Sequence, residues 1–194
     1  YNKSNIPGRP ENLHRYNIVL KSLLAGCKFL EKSKCKFIVI PCNTAHYWFD
    51  DLQKKTKIPI INMPKEVYMY AVKKCKINSK IGLLATEGTL KTGVYNKFFD
   101  KKFKLIKPNK FIQSKNVNKA IKLVKMGSIK DAEKAIRPAV NFLIRMKCNK
   151  IILGCTELPI AIFAFKSFQK IKKSKMFLDP NLILANSSMR SYKK

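Results

Sequence analysis

Short apolar runs alternate along this chain with longer stretches in which apolar residues recur every three or four positions. The first pattern is that of strands buried on both faces, and the second is that of amphipathic helices. Strands are predicted at 37–41 (FIVIP), 58–62 (IPIIN), 80–85 (KIGLLA), 103–106 (FKLI), 150–153 (KIIL) and 176–178 (MFL). Helices are predicted at 13–32, 117–126 and 129–147, with Pro64 opening another after Met63 and Gly127 stopping the one before it. Strand and helix in alternation predict an α/β fold with parallel sheets flanked by helices.

The pattern also repeats. A helix, a lysine-cysteine turn, a buried strand and a polar cysteine loop run through 29–44, and the same order returns at 142–156. Two similar subdomains are therefore expected. The first spans 1–77 and is completed by the returning segment 178–194, and the second spans 78–177.

Composition adds little that is specific. At 194 residues and 46% hydrophobic, the chain can bury a substantial core. It has no run of 18 apolar residues, and its opening is polar with Pro7 and Pro10, so neither a membrane span nor a secretory leader is expected and the cytoplasm is the expected compartment. Six cysteines without a C-x-x-C pair, beside two histidines, predict reduced thiols and no metal site. The formal charge of +30 suggests polyanion binding, but it comes from 36 lysines and 5 arginines dispersed between apolar segments. Groove readers are rich in arginine, so the charge reads as a solvated surface, and a nucleic-acid partner is kept only as an alternative.

The chemistry concentrates at two positions. In open α/β sheets ligands bind beyond the carboxyl ends of strands, and both Cys42 and Cys155 fall there. The first precedes NTAHYWFDDLQKK and the second precedes TELPIAIF, each a candidate helix start. A helix N-terminus can draw a thiol pKa from about 8.5 into the range of roughly 3.5 to 7.5, so both cysteines are expected as reactive thiolates. The remaining cysteines, at 27, 35, 75 and 148, read as core or incidental thiols, and His46 as a helix-face residue and not a base.

PCNTAH at 41–46 and LGCTELP at 153–159 resemble the aspartate/glutamate racemase superfamily. ATEGTLKTGVY at 85–95 is similar to the loop that opens the family's second half, and DPNLILA at 179–185 to the segment that returns to the first. The resemblance covers nearly the whole chain. Thr-Glu after the second cysteine, where glutamate racemases usually carry Thr-His, points to the aspartate branch. The resemblance implies an active site in the cleft between the subdomains and racemisation of an acidic amino acid, aspartate foremost. One thiolate of the pair Cys42 and Cys155 removes the α-proton while the other thiol reprotonates the opposite face, with no cofactor and no metal. It assigns Asn43, Thr44, Thr86, Thr89 and Thr156 to the substrate's α-carboxylate and ammonium, and adds Glu157 to the binding set. Arg9, in IPGR, and Lys125, just before the Gly127 stop, are assigned to the side-chain carboxylate. A homodimer is implied by resemblance alone.

Two departures qualify the match. Family members begin with a strand running into a Gly-Gly-Met-Gly-Pro loop; nothing of that kind precedes Tyr1, so an N-terminal segment is expected to lie outside this sequence. Gly8 stands where an acidic residue is common before the arginine. The alternative functions are a truncated or catalytically degenerate racemase fold with a polyanion-binding surface, and a related dicarboxylate isomerase or decarboxylase.

Overall fold

The computed structural model describes residues 6–164, 168 and 175–192, so the outermost ends of the expected units, 1–5 and 193–194, lie outside the described residues. Helix α1 (Tyr16–Lys32) leads into β1 (Ile38–Val39), α2 (Phe49–Lys54), β2 (Ile60–Ile61) and α3 (Met63–Lys74). Strand β3 (Lys80–Ala85) follows, then α4 (Glu87–Thr92), α5 (Asn96–Phe99) and β4 (Lys104–Ile106). The chain continues through α6 (Lys110–Ile112), a π-helical stretch (Gln113–Asn118), α7 (Lys119–Lys125), α8 (Ile129–Arg145), β5 (Lys150–Gly154) and α9 (Leu158–Phe163). It closes with β6 (Phe177–Leu178) and α10 (Pro180–Tyr192).

All strand pairs are parallel. Strands β1 and β2 form one small sheet, and the second sheet has the order β4-β3-β5-β6. The mixed α/β architecture holds as expected, but β1 and β2 keep only their central residues as strand. Val39 on β1 is exposed, and among the described residues no strand covers that edge. An open groove runs there instead, floored by Leu23, Cys27 and Leu30 of α1.

The internal repeat is visible in backbone geometry. At the end of α1, Lys34 takes φ +58° and the Cys35 N–H bonds Leu30 O at 3.2 Å; at the end of α8, Lys147 takes φ +58° and the Cys148 N–H bonds Leu143 O at 3.1 Å. Each helix is thus stopped by the same left-handed turn, ordinarily a glycine's, before its chain enters a strand. A non-glycine residue there costs roughly 1–2 kcal/mol, so the packing on either side must hold it. That packing is apolar: α8 buries Ile136, Val140 and Leu143 against β3 and β5, and α1 buries Val19, Leu23 and Cys27 against β1, Trp48 and Leu52.

Three helices escape the sequence pattern. Helices α4 and α5 are a turn or two long, too short for a period to register, and α10 carries exposed Leu182, Met189 and Tyr192, which blurs its apolar stripe. The helix expected from 117 begins earlier, at the Asn109 cap, and passes through the π-helical stretch, where the apolar period slips. Helix α10 lies across α3, with the Ser187 hydroxyl donating to Glu66 at 2.7 Å.

Candidate active site

The site is assembled at the carboxyl ends of strands. Strands β3 and β5 are adjacent with Ala85 opposite Gly154, so the next residues, Thr86 and Cys155, emerge side by side. The loop after β1 brings Cys42, Asn43 and Thr44 to the same place from the other sheet. Pro10 closes a wall by lying against Gly88: a Cβ on Gly88 would fall 2.5 Å from the Pro10 Cα. Only glycine permits that approach, which seats the Arg9–Pro10 segment over the start of α4.

The result is a cavity of about 80 Å³ lined by Arg9, Pro10, Cys42, Asn43, Thr44, Thr86, Thr89, Lys125, Gly154, Cys155, Thr156 and Glu157. Every residue that the sequence analysis assigned to the site lines it. The volume is far below the roughly 300 Å³ at which drug-sized ligands begin to fit, so the occupant it admits is a small metabolite. The larger apolar groove beside it shares Arg9 and Cys42 with the site, whereas the larger cavities lined by Pro10 and Lys125 and by Tyr70 and Asn186 carry no thiol among the described residues.

Three hydroxyls form one cluster: Thr44 lies 2.7 Å from Thr89 and 3.4 Å from Thr86, and Thr86 and Thr89 are 3.0 Å apart. Thr86 also caps α4, accepting from the Thr89 N–H at 3.2 Å. Hydroxyls that rotate can turn their protons toward an anion. Arg9 adds a second donor: its Nε is buried and has no hydrogen-bond partner among the described residues. A buried cationic N–H without an acceptor is costly, which suits a carboxylate arriving from solution.

The second cysteine departs from expectation. Cys155 lies three residues ahead of α9, which has only six residues, so little helix dipole reaches it. Burial pushes its pKa up, and the Glu157 carboxylate adds to the rise, because the thiol donates to Glu157 Oε2 at 2.9 Å. Cys155 therefore rests as a protonated thiol and not as the thiolate expected from its position. Burial also raises Glu157, but the hydrogen bonds from Cys155 and Thr156 outweigh it, and the Glu157 carboxyl sits below its usual pKa. Lys125 reaches the other Glu157 oxygen at 3.9 Å from a half-exposed position, a weak pair.

His46 is buried and supports the first cysteine. Its Nε2 accepts from the Met63 N–H at 3.0 Å, which leaves the proton on Nδ1 to donate to Cys42 O at 2.9 Å. Burial lowers its pKa to about 4, so it is a neutral tether of the Cys42 backbone.

Two residues of the site region went unread in the sequence. Gln113, on the π-helical stretch, donates to Ala85 O at 2.9 Å and ties that helix to the end of β3. Tyr95 is fully buried and donates through its hydroxyl to Asn43 Oδ1. The only hint of it was its place at the end of ATEGTLKTGVY, the loop resembling the one that opens the family's second half. Among the described residues no three His, Cys, Asp or Glu side chains gather as metal ligands, and no helix is long and apolar enough to cross a membrane.

Known proteins resemble this chain in sequence and architecture. A glutamate racemase of Carboxydothermus hydrogenoformans is 27% identical over 176 residues, 86% of this chain and 60% of that protein. The broad-specificity amino-acid racemase RacX of Bacillus subtilis is 25% identical over 173 residues, 89% of this chain and 71% of that one. The chain thus spans well under the full length of these relatives. The aspartate racemase of Picrophilus torridus superposes with a TM-score of 0.78 at 27% identity, covering 98% of this chain and 77% of its own. The Asp/Glu/hydantoin racemase family profile matches residues 1–187, and the chain belongs to that family.

Proposed function

We propose that the protein racemises an acidic amino acid, aspartate foremost, without a cofactor, by proton transfer between Cys42 and Cys155. The observation that carries this reading is the sharing of one small cavity by two cysteines from different sheets and the unpartnered Arg9 Nε–H. In the forward direction Cys42, as thiolate, takes the α-proton, and the Cys155 thiol gives its own proton to the opposite face. One C–H bond breaks as another forms, so the configuration inverts and the two sulfurs exchange protonation states. Glu157, bonded to Cys155, is the base that can return the second cysteine to use in the other direction. Charge that develops next to the α-carboxylate meets the hydroxyls of Thr44, Thr86 and Thr89 and the amide of Asn43. Arg9, with Lys125 near it, takes the side-chain carboxylate, and the small cavity favours aspartate over longer substrates. The family profile supports amino-acid racemisation in general, and the structural likeness to the aspartate racemase of Picrophilus torridus is what favours aspartate as the first substrate to try.

The test is incubation with L-aspartate in deuterated water with no added cofactor. D-aspartate carrying deuterium at the α-carbon is expected, and Cys42→Ser or Cys155→Ser should each abolish inversion. Absence of exchange with aspartate and glutamate alike, or full activity in either serine variant, would remove the two-thiol reading.

A further inference from the structure

Tyr95 belongs to an apolar cluster, with Val67, Leu83, Phe99 and Ile152 around it and its ring 6.0 Å from that of Phe99. Only its hydroxyl leaves that environment, and it ends on Asn43, the neighbour of Cys42 and itself just 4% exposed. A primary amide has two chemically opposite ends of nearly the same shape. A phenol oxygen can also accept from an amide N–H, but in that pairing its own proton, which burial keeps on the oxygen, would lose the acceptor that Asn43 Oδ1 gives it and stay buried and unpaired. Once the hydroxyl donates to Asn43 Oδ1, what Asn43 can offer a ligand is its two N–H donors. The opposite orientation would present a carbonyl oxygen to an incoming carboxylate and repel it.

We propose that Tyr95 is a positioning residue that selects which end of the Asn43 amide faces the substrate cavity, so that the site offers donors to a carboxylate. The role rests on the racemase reading for its substrate, but its effect is on binding and is separable from proton transfer. Removing the hydroxyl frees the amide to rotate and lets it spend part of its time turned the wrong way. The thiols, by contrast, keep their places, because neither depends on Tyr95.

The experiment compares wild type, Tyr95→Phe, Asn43→Ala and the double variant, using aspartate turnover and calorimetric binding of succinate, a dicarboxylate that cannot racemise. Tyr95→Phe is expected to raise KM for aspartate and Kd for succinate about tenfold, the scale of one charge-assisted hydrogen bond, while kcat stays within about threefold. The double variant should be no weaker than Asn43→Ala alone, since both changes remove the same contact. In the wild-type protein, the Asn43 side-chain N–H resonances should shift when succinate is added, which probes the orientation without any substitution. Unchanged KM and Kd in Tyr95→Phe, additive losses in the double variant, or silent Asn43 N–H resonances would overturn the role while leaving the racemase reading intact. A variant that merely loses thermal stability, with the KM of its folded fraction unchanged, would overturn it as well. Wild-type protein that neither turns over aspartate nor binds succinate would overturn both.

Discussion

The thiol of Cys155 donates a 2.9 Å hydrogen bond to the carboxylate of Glu157, two residues further on. Burial and that carboxylate together raise the thiol pKa, whereas the hydrogen bond holds the carboxyl down. The pair therefore stores its proton on sulfur, which under the proposed function leaves Cys155 ready as an acid.

Replacing Glu157 with Gln removes both the negative charge and the ionic acceptor. The Cys155 pKa should then fall, and alkylation of Cys155, followed by mass spectrometry, should reach half its maximal rate at a lower pH than in wild type. Racemisation should drop at the same time, by about 10²-fold for loss of a general base. An alkylation profile that did not move would show that burial alone sets the thiol.

Arg9→Lys keeps the charge but loses the planar fork. Loss of one hydrogen bond to a charged group is worth about 1.5–3 kcal/mol, so KM for aspartate should rise roughly 10- to 100-fold. Steady-state kinetics check this, and an unchanged KM would take Arg9 out of carboxylate binding.

Gly88→Ala places a methyl group 2.5 Å from the Pro10 Cα, against backbone and not against a yielding side-chain tip. Overpacking of this kind costs about 1–3 kcal/mol. The strain falls on the segment that carries Arg9, so a lower melting temperature should come with weaker aspartate binding. Wild-type affinity in a destabilised variant would separate the Pro10 contact from the site.

His46 predicts an acid limit to stability. Its pKa is lowered to about 4 in the folded protein because burial disfavours the charged ring, whereas in the unfolded chain it returns to about 6.5. The unfolded state binds the extra proton between those values, so stability is complete above about pH 6.5 and declines as pH falls toward 4. At most this amounts to about 3 kcal/mol. Denaturation midpoints measured across that window should fall in wild type and change less in His46→Ala, which should itself be less stable throughout because the Met63 N–H and Cys42 carbonyl lose their partner.

The alternation of apolar runs with helical periods was enough to read the parallel α/β architecture, because strands buried on both faces leave an unbroken apolar signature, as Ile81–Ala85 and Ile151–Leu153 do. The repeat was legible for a similar reason: both halves spell out a helix stop, a strand and a cysteine loop in local letters. The ten candidate residues were legible through PCNTAH, LGCTELP and their companions, and all of them line one cavity.

What no local pattern contained was the meeting of groups far apart in the chain. The protonation of Cys155 depends on how deeply it is buried and on which way Glu157 turns, and both are properties of packing; helix position alone pointed to the opposite state. Tyr95 went unread because its ring is buried like any core aromatic, and only the folded chain carries its hydroxyl across 52 residues of sequence to Asn43. Likewise His46 became a tether once Met63 and Cys42 closed around its two nitrogens. Sequence determines the strands and the longer amphipathic helices, since their signals are local and repeated. Tertiary structure decides charge state and orientation, because those follow from solvent exclusion and from partners supplied by other parts of the fold.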